Sequence, residues 1–204
     1  MKKYTIKKVT NLPINWDEIE KAEIDTYAWL DNGYTPRVYA ALCYDEEAIH
    51  VRFWAHESQV RAIHKSHGEM VCEDSCVELF LKPQNDDRYL NFEVNVLGYM
   101  LLGLGTSRHG REDIEVLPSF AIESSVKDAE TYQDDMWTVG YKIPFAFLKS
   151  IYGDIDFVTE GIRANLYTCG EYTKMPHYGM WNPVLLPSPE YHAPAYFGEM
   201  VFAK

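Results

Sequence analysis

Alternation of apolar and polar residues along short segments is the feature that most limits how this chain can fold. In Tyr89–Val96, every second residue from Leu90 onward is apolar, and the residues between them are Tyr, Asn, Glu and Asn. A period of two places successive side chains on opposite faces of a strand, whereas a helix repeats every 3.6 residues. The segment is therefore predicted to be a strand with one face in a core.

Further segments rich in β-branched and aromatic residues are separated by Gly, Pro, Asn and Asp. The predicted strands are Arg37–Tyr44, Ala48–Ala55, Ser75–Leu81, Tyr89–Val96, Trp137–Ile143, Gly161–Cys169 and Tyr196–Ala203. Helix is predicted for a single turn within Asn15–Ala22 and for two short segments, His56–Lys65 and Phe145–Ile151. Regularly spaced short strands of this kind predict an all-β protein, an antiparallel β-sandwich with minor short helices. Since no repeat or linker is evident, residues 1–204 are expected to form a single domain.

Charge and composition exclude several classes of partner. The 204 residues include 19 Lys and Arg against 31 Asp and Glu, a net charge of −12. Nucleic acids and anionic membrane surfaces are therefore not expected partners, because both are bound through cationic side chains. No apolar run reaches the ~18 residues of a membrane helix.

The N-terminus and the cysteines bear on location. The first residues, MKKYTIKKVTNLP, start basic but have no apolar segment after them. The sequence as it stands therefore predicts a cytoplasmic protein, or a secreted one if an export signal has been removed. The four cysteines, Cys43, Cys72, Cys76 and Cys169, are expected to be free thiols in a reducing compartment.

The polar faces of four predicted strands carry an unusual set of side chains without a single lysine. They are Arg52, Trp54, Glu78, Asn91, Glu93, Asn95, Arg163, Asn165 and Tyr167. Carboxylate, amide and guanidinium groups can bridge pairs of sugar hydroxyls, each of which is both donor and acceptor. Aromatic rings can stack on the C–H patches of a sugar ring. The pattern indicates carbohydrate recognition, with an ordinary exterior face crossed by ion pairs as the alternative.

Several segments, in this order, resemble carbohydrate-binding module family 9 and its DOMON-like relatives. They are Glu73–Leu81 (EDSCVELFL), Tyr89–Asn95 (YLNFEVN), Trp137–Pro144 (WTVGYKIP), Gly161–Asn165 (GIRAN), Gly179–Pro183 (GMWNP) and His192–Phe202 (HAPAYFGEMVF). The resemblance covers nearly the whole chain. It implies an antiparallel β-sandwich and a sugar-binding role.

The resemblance also implies which side chains hold the sugar. In the family, two tryptophans clamp a terminal sugar, and an arginine, a glutamate and amides bind its hydroxyls. Trp181 matches the second tryptophan, Glu78 matches the glutamate, and Arg108 is the candidate arginine. Residues 67–72 contain no first tryptophan, so Trp54 is the candidate replacement. The expected carbohydrate-binding residues are Trp54, Glu78, Asn91, Glu93, Asn95, Arg108, Arg163, Asn165 and Trp181.

No cofactor is expected to be required. The family resemblance implies structural calcium, for which the acidic stretches Gln84–Arg88 and Lys127–Asp135 could supply oxygen ligands.

The favoured function is non-catalytic recognition of a mono- or oligosaccharide, as an accessory to polysaccharide degradation. One alternative is a glycoside-cleaving enzyme that uses Glu78 and Glu93 as its carboxylate pair. Another is a haem- or metal-binding DOMON-like sensor built on His56, His64 and His67.

Overall fold

The structure is a computed structural model that describes residues 1–57 and 59–204. Within these two ranges the chain forms thirteen strands and two short α-helices, α1 (Phe145–Tyr152) and α2 (Phe157–Glu160). The strands are β1 (Lys3–Lys8), β2 (Ala22–Ile24), β3 (Arg37–Tyr44), β4 (Ala48–His56), β5 (Cys76–Pro83), β6 (Tyr89–Asn95), β7 (Met100–Gly105), β8 (Glu112–Asp113), β9 (Glu123–Ser124), β10 (Trp137–Pro144), β11 (Ile162–Cys169), β12 (Tyr178–Met180) and β13 (Gly198–Phe202).

The strands form two sheets that share β1. The first sheet runs β8-β7-β6-β5-β11-β13-β1, with β12 also paired to β11. The second runs β1-β3-β4-β10-β9, with β2 also paired to β3. Strand β1 is parallel to both of its neighbours, through Lys3–Ile6 on β13 and Lys7–Lys8 on β3. All other pairs are antiparallel, so the expected β-sandwich is confirmed with one strand that departs from the antiparallel pattern.

The main core fills the space between the sheets and takes one face of each strand. Leu90, Phe92 and Val94 of β6 belong to it, as the alternation predicts. A second, smaller core covers the opposite face of the first sheet. It joins strand residues such as Phe80 and Tyr167 to loop residues such as Tyr191. The first sheet is therefore buried on both faces.

The predicted elements are confirmed except for one helix. The seven predicted strands are present, the N-terminal turn is a 3₁₀ turn at Trp16–Glu18, and α1 matches the predicted Phe145–Ile151. The helix expected over His56–Lys65 is wrong for the described residues of that range, and Ser58 lies outside them. The buried Asp74 carboxylate accepts hydrogen bonds from the backbone N–H groups of Ile63 and His64, each at 3.0 Å. Those bonds hold the segment in an irregular conformation.

Within the described ranges, no helix combines the length and the apolar character needed to cross a membrane.

Candidate functional site

Two carboxyl groups face each other on the covered face of the first sheet. Glu78 of β5 lies directly opposite Glu93 of β6. Directly opposed residues of antiparallel strands have their Cβ atoms about 4.5–5.5 Å apart. The two residues are only 2% and 3% exposed. The alternation that assigned both to one polar face therefore brings them together at one point.

A cavity of about 90 Å³ opens above this pair. Several parts of the chain build its walls. The loop between β7 and β8 contributes Arg108 and Arg111, β12 contributes Tyr178, and the segment before β13 contributes Tyr191 and His192.

The loop between β7 and β8 can close over the cavity because Gly105 has no side chain. A Cβ atom at this position would lie 2.7 Å from Cγ and 3.1 Å from Cα of Arg111. The close approach turns the Arg111 guanidinium inward, where Nη1 lies 3.6 Å from Oε1 of Glu93. Arg108 lies further out, half exposed, 3.8 Å from the Glu190 carboxylate.

The two opposed carboxyl groups differ in their neighbours. Burial and the adjacent Glu93 raise the pKa of Glu78 well above its usual range. Burial also raises the pKa of Glu93, but Arg111 and a 2.9 Å hydrogen bond from the Asn91 amide oppose that rise. Of the two groups, Glu93 beside Arg111 is therefore the one that ionises first, and Glu78 keeps its proton to higher pH. The cavity floor offers both a donor and an acceptor.

His192 is a neutral side chain in the cavity wall. Its Nδ1 lies 2.8 Å from the Tyr89 hydroxyl and 3.3 Å from Nη1 of Arg111. Because a guanidinium can only donate, Nδ1 acts as the acceptor and Nε2 carries the proton. Burial, followed by Arg111, lowers the pKa of His192 to about 3. The imidazole therefore adds a donor without adding charge.

Tyrosines form a fixed aromatic wall. Tyr191 stacks on Tyr167 with ring centroids 4.0 Å apart, and its hydroxyl donates to the Thr168 and Gly179 carbonyl oxygens. Trp29 packs against Tyr191 at 5.6 Å and against Tyr178 at 6.3 Å. Buried hydroxyls with partners keep such rings in place.

Two of the expected site residues form hydrogen bonds with main-chain groups. The Asn165 amide donates to the Asn182 carbonyl oxygen, and its Oδ1 accepts from the Asn182 N–H. The Arg163 guanidinium donates to the carbonyl oxygens of Phe197 and Gly198. These bonds tie β11 to the segments that cover the sheet, so both residues support the site without lining the cavity.

The amides of β6 also have internal partners. The Asn95 amide donates to the Asp74 carboxylate at 3.0 Å and to the His64 carbonyl oxygen at 2.9 Å. Asn95 therefore anchors the segment before β5. Asn91 reaches the site only through its hydrogen bond to Glu93.

The two tryptophans expected to clamp a sugar lie outside this cavity. Trp181 is 4% exposed and belongs to the main core, on the opposite side of the sheet from Glu78. Its ring lies against Gly198, where a Cβ atom would be 2.5 Å from Cζ3. Trp54 is on the second sheet, edge-on to Trp16 at 6.0 Å. The structure therefore gathers Glu78, Glu93 and Arg108 at the cavity and leaves both indoles outside it.

Sequence reasoning missed most of the cavity wall, including Arg111, Tyr178, Tyr191 and His192. Arg111 had a signal, because it shares with Arg108 the loop identified as a source of a guanidinium. The other three come from β12, which has three residues, and from an irregular segment, where no periodicity marks the inward-facing side chains.

The histidines proposed for a haem or metal sensor have separate neighbours. Nε2 of His64 lies 2.9 Å from the Glu73 carboxylate, and Nδ1 of His67 accepts the Met100 N–H at 3.0 Å. The His56 ring packs edge-on to Tyr39. Among the described residues, these three histidines do not converge into a ligand set.

In each acidic stretch considered for calcium, one aspartate has its carboxylate engaged within the chain. In Gln84–Arg88, both carboxylate oxygens of Asp86 accept from the Arg88 guanidinium, at 2.7 and 3.1 Å. In Lys127–Asp135, Asp128 accepts from the Glu130 N–H and the Thr131 hydroxyl. Calcium needs six to eight oxygen ligands, and among the described residues neither stretch has three carboxylates that converge. They do not fit the ion, and calcium binding elsewhere stays a prediction.

Comparison with known proteins identifies the family. The model of carbohydrate-binding family 9 matches residues 9–202. A candidate carbohydrate-binding protein from Bacteroides uniformis ATCC 8492 has a similar structure, with a TM-score of 0.83, 28% identity and 99% of each chain covered. A family 9 module from Caldicellulosiruptor kristjanssonii in complex with glucose has a TM-score of 0.66 and 12% identity over 99% of this chain and 96% of its own. The cellotriose complex of a family 9 module from that organism has a TM-score of 0.63 and 11% identity over 98% of this chain and 93% of its own. The two modules share the fold.

No protein with a curated description matches the chain. The family match covers nearly all of the sequence and the fold agrees with it, so the chain belongs to carbohydrate-binding family 9.

Proposed function

We propose that the cavity above Glu78 and Glu93 binds the terminal residue of a carbohydrate and does not cleave it. Family membership supports a binding role, and the structures of the Caldicellulosiruptor modules hold glucose and cellotriose. A glucose-type sugar is therefore the first candidate ligand.

The opposed carboxyl groups are the observation that carries the proposal. A sugar presents neighbouring hydroxyls, each of which needs a donor and an acceptor. The protonated Glu78 donates, the Glu93 carboxylate accepts, and Arg111 beside Glu93 adds a charged donor. Charge-assisted hydrogen bonds of this kind are about twice as strong as neutral ones.

The aromatic wall supplies the apolar half of the recognition. The rings of Tyr178 and Tyr191 line the same cavity as the carboxyl pair. A pyranose has C–H patches that pack on such rings, and a tyrosine loses little conformational entropy when it is held in place. In the proposed site, these tyrosines take the stacking role that the sequence assigned to tryptophans.

Substitutions at the carboxyl pair test the proposal by calorimetric titration with glucose and cellotriose. Glu93→Gln removes the charged acceptor and Glu78→Leu removes the donor, so each should weaken binding at least ~10-fold. Glu78→Gln should stay within a few-fold of the unsubstituted protein, because the amide keeps a donor and an acceptor at that position.

Trp54→Ala is the matched control and should bind as the unsubstituted protein does, since Trp54 lies on the other sheet. Thermal melts show whether each variant is folded. Unchanged affinity in folded Glu93→Gln and Glu78→Leu would place the sugar elsewhere. Reducing ends released from cellotriose by the unsubstituted protein, and lost in Glu93→Gln, would show cleavage.

The wider role stays a prediction. The sequence predicts an accessory action in polysaccharide degradation, a cytoplasmic or exported location and a single-domain organisation. The location can be tested by expressing the native gene and finding where the protein accumulates.

A further inference from the structure

Two thiols and a carboxyl group lie together at the floor of the cavity. Cys76 and Glu78 are two residues apart on β5 and share a face, and Cys169 of β11 is directly opposite Cys76. One ligand atom from each of the three residues lies within 4.8 Å of the others, and all three residues are buried. Neighbouring paired strands, rather than a mobile loop, set this arrangement.

The cluster has nearly the size of a tetrahedral metal site. Zinc–sulfur bonds of about 2.3 Å place two sulfur ligands about 3.7 Å apart in a tetrahedron. Sγ of Cys169 lies 3.0 Å from Oε1 of Glu78. Shifts of about 1 Å or less would therefore bring all three atoms to coordination distance.

The neighbours of Glu78 leave room for a cation. Arg111 makes its ion pair with Glu93. Among the described residues, the Glu78 carboxyl accepts its hydrogen bond from the Cys169 thiol. Glu78 and Cys169 both line the open cavity, which gives an ion a route to the cluster and a fourth position for water. Two sulfurs and one oxygen are the donor set that zinc prefers over magnesium or calcium.

We propose that Cys76, Cys169 and Glu78 bind a thiophilic divalent cation of the zinc type, with its fourth position open to the cavity. The site needs no other part of the chain. If the sugar site is where the preceding section places it, the ion and the sugar both use Glu78, so each should weaken the binding of the other. That competition rests on the proposed function, whereas metal binding alone does not.

Titration of the full-length, reduced protein with Co²⁺ tests the site, because cobalt bound to thiolates gives a charge-transfer band. Native mass spectrometry with Zn²⁺ alone gives the stoichiometry. We expect one ion per chain and the charge-transfer band in the unsubstituted protein. Cys169→Ser should abolish the band, and Glu78→Gln should weaken Zn²⁺ binding at least ~10-fold.

Cys43→Ser is the matched control, since it removes a buried thiol from β3 in the second sheet and should leave metal binding unchanged. Glu78→Gln keeps both thiols, and a thermal melt of this variant shows whether its loss of metal binding comes from unfolding. Absence of the band in the reduced, unsubstituted protein, or its persistence in Cys169→Ser, would overturn the proposal. A band together with no sugar affinity would support the metal site and contradict only the proposed function.

Discussion

At the scale of single residues, a buried carboxyl far from the cavity should give stability a dependence on pH. Glu57 is 3% exposed, and its carboxyl oxygens accept from the Ser75 hydroxyl at 2.9 Å and from Nε1 of Trp137 at 3.4 Å. Burial raises its pKa to about 7, against about 4.5 when unfolded, although the two hydrogen bonds oppose the rise. The native state therefore holds a proton that the unfolded chain releases. Its contribution is complete below pH 4.5 and is lost as pH rises through 7.

Glu57→Gln removes this dependence, because glutamine resembles the protonated acid and cannot ionise. Relative to the variant, the unsubstituted protein should lose about 3 kcal/mol of unfolding free energy between pH 4.5 and 7.5. Urea unfolding at a series of pH values measures the difference. Glu23→Gln, at an exposed position on β2, should keep the pH profile of the unsubstituted protein. Parallel profiles for Glu57→Gln and the unsubstituted protein would show that Glu57 ionises freely.

Individual site residues differ in how well the sequence predicts their position. Alternation assigned Glu78 and Glu93 to one face, because the strand period alone decides that relation. Trp181 follows a three-residue strand and has no such period. Whether its indole faces the core or the cavity depends on the contact with Gly198, a residue 17 positions along the chain. Sequence pattern carries no information about that contact.

Among the elements, most strands with clear patterns were predictable, whereas very short strands and a strand buried on both faces were not. The seven predicted strands have five to nine residues, enough to show a period. Strand β7, Met100–Gly105, is buried on both faces and so has no alternation to detect. Strands β8 and β9 have two residues each, and only their pairing defines them. The segments that cover the first sheet are irregular, so the cavity itself could not be predicted.

Close packing between elements predicts a marked effect at Gly198. In Gly198→Ala, the new Cβ would lie 2.5 Å from Cζ3 of Trp181 and 2.9 Å from the Lys2 carbonyl oxygen. Such overlap forces the ring or β1 to shift, and we expect a loss of about 1–3 kcal/mol in unfolding free energy. Gly140→Ala on β10 is the comparison, since its Cβ would lie 3.6 Å from the Val51 carbonyl oxygen, an ordinary contact. Thermal melts should separate the two, and equal midpoints would show that Trp181 adjusts freely.

For the whole molecule, the covering of the first sheet decides what the polar face can do. An exposed face with these residues would form ion pairs worth about 0–1 kcal/mol each in water. Here the loops and the second core exclude solvent from the polar residues of the first sheet. Exclusion of water raises the energetic weight of each hydrogen bond and of the Arg111–Glu93 pair. The cavity therefore depends on the second core as much as on the carboxyl groups themselves.

The two sheets should unfold as one unit because β1 belongs to both. Ile6 of β1 is fully buried in the core between the sheets, so Ile6→Ala should cost about 2–5 kcal/mol. Since the first half of β1 pairs with β13 and the second half with β3, the loss should spread to both sheets. Native-state hydrogen exchange should show slow amides of β5 and β10 exchanging faster by the same factor. Val201→Ala, half exposed on β13, should change neither. Faster exchange confined to one sheet would show that the sheets unfold separately and that β1 does not couple them.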